Sequence, residues 1–109
     1  MKLVVLVNDN KDDFEEMIDA VGNRKSLFID TQHCDEEHEY NNLSSNIARF
    51  SQSDKEIMLA RFSGRESIVK NLGDERPEMI ISLSGDKSNS YYTENPVNTF
   101  INLISIFRD

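Results

Sequence analysis

The sequence predicts an α/β protein: a small open sheet of about three mainly parallel strands, with helices packed on it in the order β-α-β-α(α)-β-α. Three observations lead there. Leu3-Val4-Val5-Leu6-Val7 is an unbroken, β-branched apolar run, the pattern of a strand buried on both faces. Strand-like runs then alternate with segments whose apolar residues recur at helical spacing. Finally, 109 residues suffice for one hydrophobic core and not for two, so a single domain spans 1–109.

The elements follow in order. Phe14, Met17, Ile18 and Val21 recur at i, i+3, i+4 and i+7 and predict a first helix. Asp12 is read as its N-cap with Glu15 three residues on, and Gly22 as its stop. Lys25 to Asp30 contains Leu27-Phe28-Ile29 and predicts a second strand. Thr31 to Asn42 is polar, largely acidic and aperiodic, and is read as a loop. Leu43, Ile47 and Phe50 predict a short helix. Ser53-Asp54-Lys55-Glu56 has the form of a capping box opening another, which carries Ile57, Met58, Ala60 and Phe62. Ser63-Gly64-Arg65-Glu66 repeats that form, with Ile68, Val69 and Leu72 before a stop at Gly73. Met79-Ile80-Ile81-Ser82-Leu83, just after Pro77, predicts a third strand, and Ser84 to Glu94 a polar loop. Asn95 caps a last helix with Pro96 at its first position. Val97, Phe100, Ile101, Ile104 and Phe107 line one side of it, and Leu103 and Ile106 broaden that surface. A helix so apolar is deeply packed or meets a partner, so a homodimer through it is compatible with the sequence.

Right-handed crossovers make the strands parallel. Their carboxyl ends, at Asn8-Asp9-Asn10, Asp30 to Glu39 and Ser84 to Ser90, then share one edge, where open α/β sheets bind their ligands.

Composition excludes several classes. With 38% hydrophobic and 29% charged residues, two prolines, four glycines and no low-complexity run, the chain is expected to fold. The apolar run at the N-terminus is too short for a signal peptide or a membrane span. A lone Cys34 makes no internal disulfide, and the expected compartment is the reducing cytoplasm.

The net charge of −8 is unevenly placed: residues 1–40 hold eleven acids and four bases, whereas 41–109 hold nine and eight. Direct nucleic-acid binding needs a basic face and is disfavoured. A basic protein partner fits better, because such a field steers association with surfaces of opposite sign.

The plain reading of Asp12, Asp13, Glu15 and Glu16 is that they offset the dipole of the first helix. Asp35-Glu36-Glu37-His38-Glu39 lies in the predicted loop, with no dipole to offset its like charges, and is singled out as a recognition element. Asp30 precedes it at the end of the second strand. Tyr91 and Tyr92 stand in the polar loop near the same edge, and tyrosine suits an interface because one end is apolar and the other wet. His33, Cys34 and His38 with Asp35 or Glu39 approximate a metal site, but zinc sites commonly draw two short ligand pairs from separated segments, and no second pair exists. Cys34 beside His33 lacks an orienting group for nucleophilic catalysis. Ser84-Gly85-Asp86-Lys87-Ser88 lacks the first glycine of a phosphate loop and reads as a polar turn.

The first strand with Asn8-Asp9-Asn10 resembles the acidic pocket of response-regulator receivers over about the first 20 residues. That resemblance implies a phosphoacceptor aspartate at the end of the third strand, where Ile80-Ile81-Ser82-Leu83-Ser84 offers only serines. The long helical middle departs from the pattern as well.

The expectation from sequence is therefore a non-catalytic protein-binding module without metal or cofactor. It would be an immunity- or antitoxin-type inhibitor covering the active site or substrate surface of a basic partner such as a nuclease toxin. Asp30, Asp35, Glu36, Glu37 and Glu39 would meet the partner's lysines and arginines, with Tyr91 or Tyr92 as aromatic anchor. The competing expectation is a small metal-dependent or receiver-like regulatory enzyme using Asp9, His33, Cys34 and His38.

Overall fold

Leu3–Asn8 forms β1 and is buried along its whole length, as an apolar run without alternation requires. In the computed structural model, which describes residues 2–8, 10–31, 36–62, 79–88 and 91–106, β1 is an inner strand of a four-stranded sheet. The sheet order is β2-β3-β1-β4, with β2 at Ser26–Asp30, β3 at Ile57–Phe62 and β4 at Met79–Leu83, and all pairings are parallel. Three helices are described: α1 at Lys11–Val21, α2 at Glu36–Ser51 and α3 at Pro96–Ser105. The α/β class, the parallel pairing and the strands β1, β2 and β4 agree with the sequence reading.

Two elements differ from it. The segment Ile57–Phe62, expected in a helix, is β3, buried at every position and paired with both β1 and β2. A continuous apolar run fits a helix or a two-face-buried strand equally well by periodicity. What decides is Ser53, whose apparent capping box instead closes α2: its Oγ donates to Phe50 O (2.9 Å) and accepts from Lys55 N (3.2 Å). With the helix ended there, Ile57, Met58, Leu59 and Ala60 project alternately to two faces that both carry helices, and all four are fully buried.

The second difference is α2, which begins at Glu36 rather than near Leu43. Leu43, Ile47 and Phe50 make its buried stripe as expected, all with no exposure. The acidic residues before them extend the helix, because glutamate is a good helix former and negative charge suits a helix start. A smaller correction concerns α1: Asn10, not Asp12, is its N-cap, accepting from Asp13 N at 3.0 Å. Gly22 ends it with φ of 63°, a conformation that costs a glycine little. The expected helical piece over Ser63–Gly73 and the apolar Phe107 lie outside the described residues.

The sheet separates two apolar clusters. On one face α1 and α3 cover Leu3, Val5, Val7, Ile57, Leu59 and Leu83, with Phe14, Met17, Phe100 and Ile104 as the helix contributions. On the other face α2 covers Val4, Leu6, Ile29, Met58, Ala60 and Phe62 with Leu43, Ile47 and Phe50.

Candidate functional site

Parallel order puts every helix start at one edge of the sheet and every helix end at the other, and this sorts the polar residues. The buried polar and charged side chains among the described residues are Asn8, Thr31, Arg61 and Ser84. One comes from the carboxyl end of each strand, so a polar row closes the apolar core at that edge. Thr31 Oγ1 donates to Arg61 O at 2.9 Å, and Thr31 N donates to the same carbonyl at 3.0 Å. Ser84 Oγ accepts from Asp86 N at 3.1 Å. Buried polar groups are as a rule hydrogen-bonded, and backbone at the strand ends supplies such partners to Thr31 and Ser84.

Arg61 is the costliest of the four. Its side chain is 10% exposed and donates through Nη1 to Asp30 Oδ2 at 3.1 Å, while the Asp30 side chain is 42% exposed. The pair therefore spans the boundary, with the cation inside and the carboxylate reaching water. The buried Arg61 Nε has no hydrogen-bond partner among the described residues.

Above the polar row stand the helix starts. Asn10 and Asn95 cap α1 and α3 in the same way, each accepting from the backbone N three residues on, at 3.0 and 3.1 Å. The two starts meet at the end of β4: a Cβ placed on Gly85 would lie 3.7 Å from Pro96 Cγ and 3.9 Å from Asp13 Oδ2. Asp13 is partly buried there, and burial first, with the adjacent Asp12 second, pushes its carboxyl above the ordinary aspartate range. Exposed Asp86 is moved the opposite way. Its carboxylate accepts from Ser88 N at 2.9 Å and Ser88 Oγ at 2.7 Å, which holds it below the ordinary range. These bonds make Ser84 to Ser88 a polar turn, as the sequence suggested.

The other edge has the opposite sign. Lys2, Arg24, Lys25, Arg49 and Lys55 all lie at the amino ends of strands or the ends of helices, with Asp54 and Glu56 among them. Lys2 Nζ donates to Phe50 O (3.1 Å) and Ser51 O (3.0 Å) and also to Ser53 O, satisfying carbonyls that the end of α2 leaves open. It also lies 5.5 Å from the centre of the Phe50 ring. Leu27, Arg49, Phe50, Ser53 and Lys55 line a small open hollow of about 190 Å³ beside it, smaller than ordinary ligand pockets.

Against this geometry the expected binding residues divide. Asp30 is at the carboxyl edge, engaged by Arg61. Glu36, Glu37 and Glu39 are at the same edge but in the first turn of α2, not in a loop. The dipole of α2 therefore does offset their charge, contrary to the argument from sequence. Glu37 and His38 are exposed, whereas the side chains of Glu36 and Glu39 are outside the described residues, as is Asp35. Tyr91 packs against the α2-side core, whereas Tyr92 is 39% exposed. Asp9, His33 and Cys34 of the competing expectation lie outside the described residues. Among the described residues no group of three His, Cys, Asp or Glu is placed to hold a metal, and no helix is long and apolar enough to cross a membrane.

Sequence reasoning set Asn8, Thr31 and Ser84 at this edge without giving them a buried role, and passed over Arg61. One signal was present: Arg61 is a single charge inside the run Ile57–Phe62, where a buried strand end with a nearby acid accounts for it.

No protein-family model and no curated protein sequence matches the chain. Solved structures that share its fold include two de novo designed proteins. A de novo designed PLOOP2X3_50 fold protein superposes with a TM-score of 0.68 at 12% identity, covering 95% of this chain and 91% of that one. A second de novo designed protein of P-loop NTPase fold gives a TM-score of 0.51 at 14% identity over 98% of this chain and 75% of that one. At such identities the likeness concerns architecture alone. The glycine-rich loop from which that fold takes its name has no counterpart here. Asn8-Asp9-Asn10-Lys11 joins β1 to α1 without a glycine, and the four glycines stand at 22, 64, 73 and 85.

Proposed function

We propose that the protein is a non-catalytic binding module whose acidic carboxyl edge covers a basic surface on a protein partner, in the manner of an immunity protein or antitoxin. The observation that carries this reading is the sorting of charge. Among the described residues, Asp12, Asp13, Asp30, Glu37, Asp86 and Glu94 outnumber Lys11, Arg61 and Lys87 at the carboxyl edge, while Lys2, Arg24, Lys25, Arg49 and Lys55 outnumber Asp19, Asp54 and Glu56 at the amino edge. A field polarised in this way steers a basic partner to one end of the molecule.

A nuclease toxin is the partner class that fits best, because a cleft that holds phosphates must be basic and carboxylates can take the phosphates' place. In this reading Glu36, Glu37 and Glu39 at the start of α2 meet lysines and arginines of the toxin, with Asp35 next to them. Tyr92 supplies an aromatic contact at the same edge. Asp30 contributes less, since its carboxylate is already engaged by Arg61.

The test is capture from a lysate of the native host with this protein as bait, washed at low and then high salt. The expected result is one basic protein, weakened or released as salt rises. Capture of no basic protein, or of one indifferent to salt, contradicts the reading.

A further inference from the structure

We propose that β2 pairs with β2 of a second copy of this chain, antiparallel and centred on Phe28, so that two four-stranded sheets become one. The proposal stands apart from the acidic-edge reading and does not depend on it.

Among the described residues, β2 is an outer strand of the sheet. Its inner side is fixed by hydrogen bonds to β3 and the turn before it: Thr31 N donates to Arg61 O at 3.0 Å, and Glu56 N and Ile57 N donate to Lys25 O at 3.0 and 3.2 Å. Strand alternation then turns the backbone groups of Leu27 and Ile29 toward β3 and those of Ser26 and Phe28 outward. An outward row of this kind is a template for another strand unless the edge is defended. Defences are usually a proline, a bulge or a lysine within the strand. Ser-Leu-Phe-Ile-Asp contains none of them; its one charged side chain, Asp30, stands at the last position and is paired with Arg61, and its central outward residue is a phenylalanine that is 40% exposed.

The geometry selects a second copy over an unrelated strand. A twofold axis perpendicular to the sheet keeps each side chain on its own face, so residues opposite one another must have the same parity. Phe28 is in register with Leu59, on the face covered by α1 and α3. Pairing Phe28 with itself satisfies the parity, joins the outward backbone groups of that residue in both copies, and buries two exposed rings against each other. The same register sets Ser26 of each copy opposite Asp30 of the other.

Charge agrees with this direction. The amino end of β2 follows Arg24-Lys25 and its carboxyl end is Asp30. Antiparallel pairing therefore lays the basic edge of one copy beside the acidic edge of the other, whereas parallel pairing would set like against like. A chain of net charge −8 can associate this way without stacking its acidic edges.

Amide hydrogen exchange read residue by residue, from micromolar to millimolar protein, tests the proposal on the unaltered chain. Ser26 and Phe28 amides should exchange fast when dilute and become protected when concentrated, while Leu27 and Ile29 stay protected throughout. Sedimentation should show the mass doubling over the same range, and Phe28→Lys should return it to one chain without changing the circular dichroism. A single-chain mass at millimolar concentration would overturn the proposal. So would a doubled mass that leaves the exchange of Ser26 and Phe28 unchanged, or one that survives Phe28→Lys. The exchange result decides the matter even where that variant folds poorly.

Discussion

At the amino edge of the sheet, Lys2 caps the end of α2 by donating to Phe50 O, Ser51 O and Ser53 O, and Lys25 pairs with Asp54 at 3.6 Å. At the carboxyl edge, Asp12, Asp13 and Glu37 stand at helix starts, and none of them pairs with a cation among the described residues. Helix dipoles alone favour this sign at both ends. They do not account for what each edge does with its charge. Lys2 at the amino edge serves folding through several long-range hydrogen bonds, while most acids of the carboxyl edge are left to solvent. Charge that the fold does not use is charge available to a partner, and the two edges should respond differently to substitution.

The largest expected effect concerns Asp30, the carboxyl-edge acid that is paired with a buried cation. Asp30→Ala strands the Arg61 guanidinium inside the sheet and should cost about 1–3 kcal/mol in denaturant unfolding. Arg61→Met leaves Asp30 in reach of water and should change stability by less than about 1 kcal/mol. Equal losses from the two substitutions would mean that the pair is not divided between core and solvent as described. The asymmetry also marks Asp30 as a poor probe of binding, because its loss disturbs the strand beneath it.

Lys2→Met should come next, at about 1–2 kcal/mol, since it removes a charged donor from part-buried carbonyls at the end of α2. The unfolding midpoint of this variant against Glu37→Gln compares the two edges directly. Glu37→Gln should shift stability by no more than a few tenths of a kcal/mol, the share of one exposed charge at a helix start.

The smallest effects are pH-dependent and of opposite sign. The carboxyl of Asp13 is raised by burial and by Asp12, so the folded state favours its protonated form. That contribution is fully present below the unfolded pKa and is lost as pH rises through the folded one. Asp13→Asn should therefore be slightly more stable than the parent at neutral pH, with the difference vanishing in acid. Asp86 is lowered by the Ser88 hydrogen bonds, and its contribution is present above the unfolded pKa and lost as pH falls through the folded one. Asp86→Asn should be less stable at neutral pH and converge with the parent in acid. Thermal melts over the acid range read both, and matching signs would refute the assignment.

Much of this architecture was legible in the residues. β1 and β4 announce themselves as apolar runs, the stripe Phe14, Met17 and Val21 fixes the buried side of α1, and Asn95-Pro96 marks the start of α3. Gly22 ends α1 where its position suggested. β3 was hidden because Ser53 to Glu56 imitates a helix start, and an apolar run does not state its own period. The start of α2 was hidden because Glu36-Glu37-His38-Glu39 gives no apolar period, although glutamate extends a helix readily. The candidate edge was legible as a place, through the rule that parallel strands end together. Its buried row was not, because Asn8, Thr31 and Ser84 are ordinary polar residues until the sheet order sets them side by side.

The central claim is that the carboxyl edge, not net charge as such, is the binding surface. It is tested most directly by capture from host lysate with three baits: the parent chain, Glu36→Lys with Glu37→Lys, and Asp54→Lys with Glu56→Lys. The last two carry the same change in net charge at opposite edges. The predicted result is that the parent and the amino-edge variant retain the same basic protein, while the carboxyl-edge variant loses it. Equal retention by all three, or equal loss by both variants, would contradict the claim.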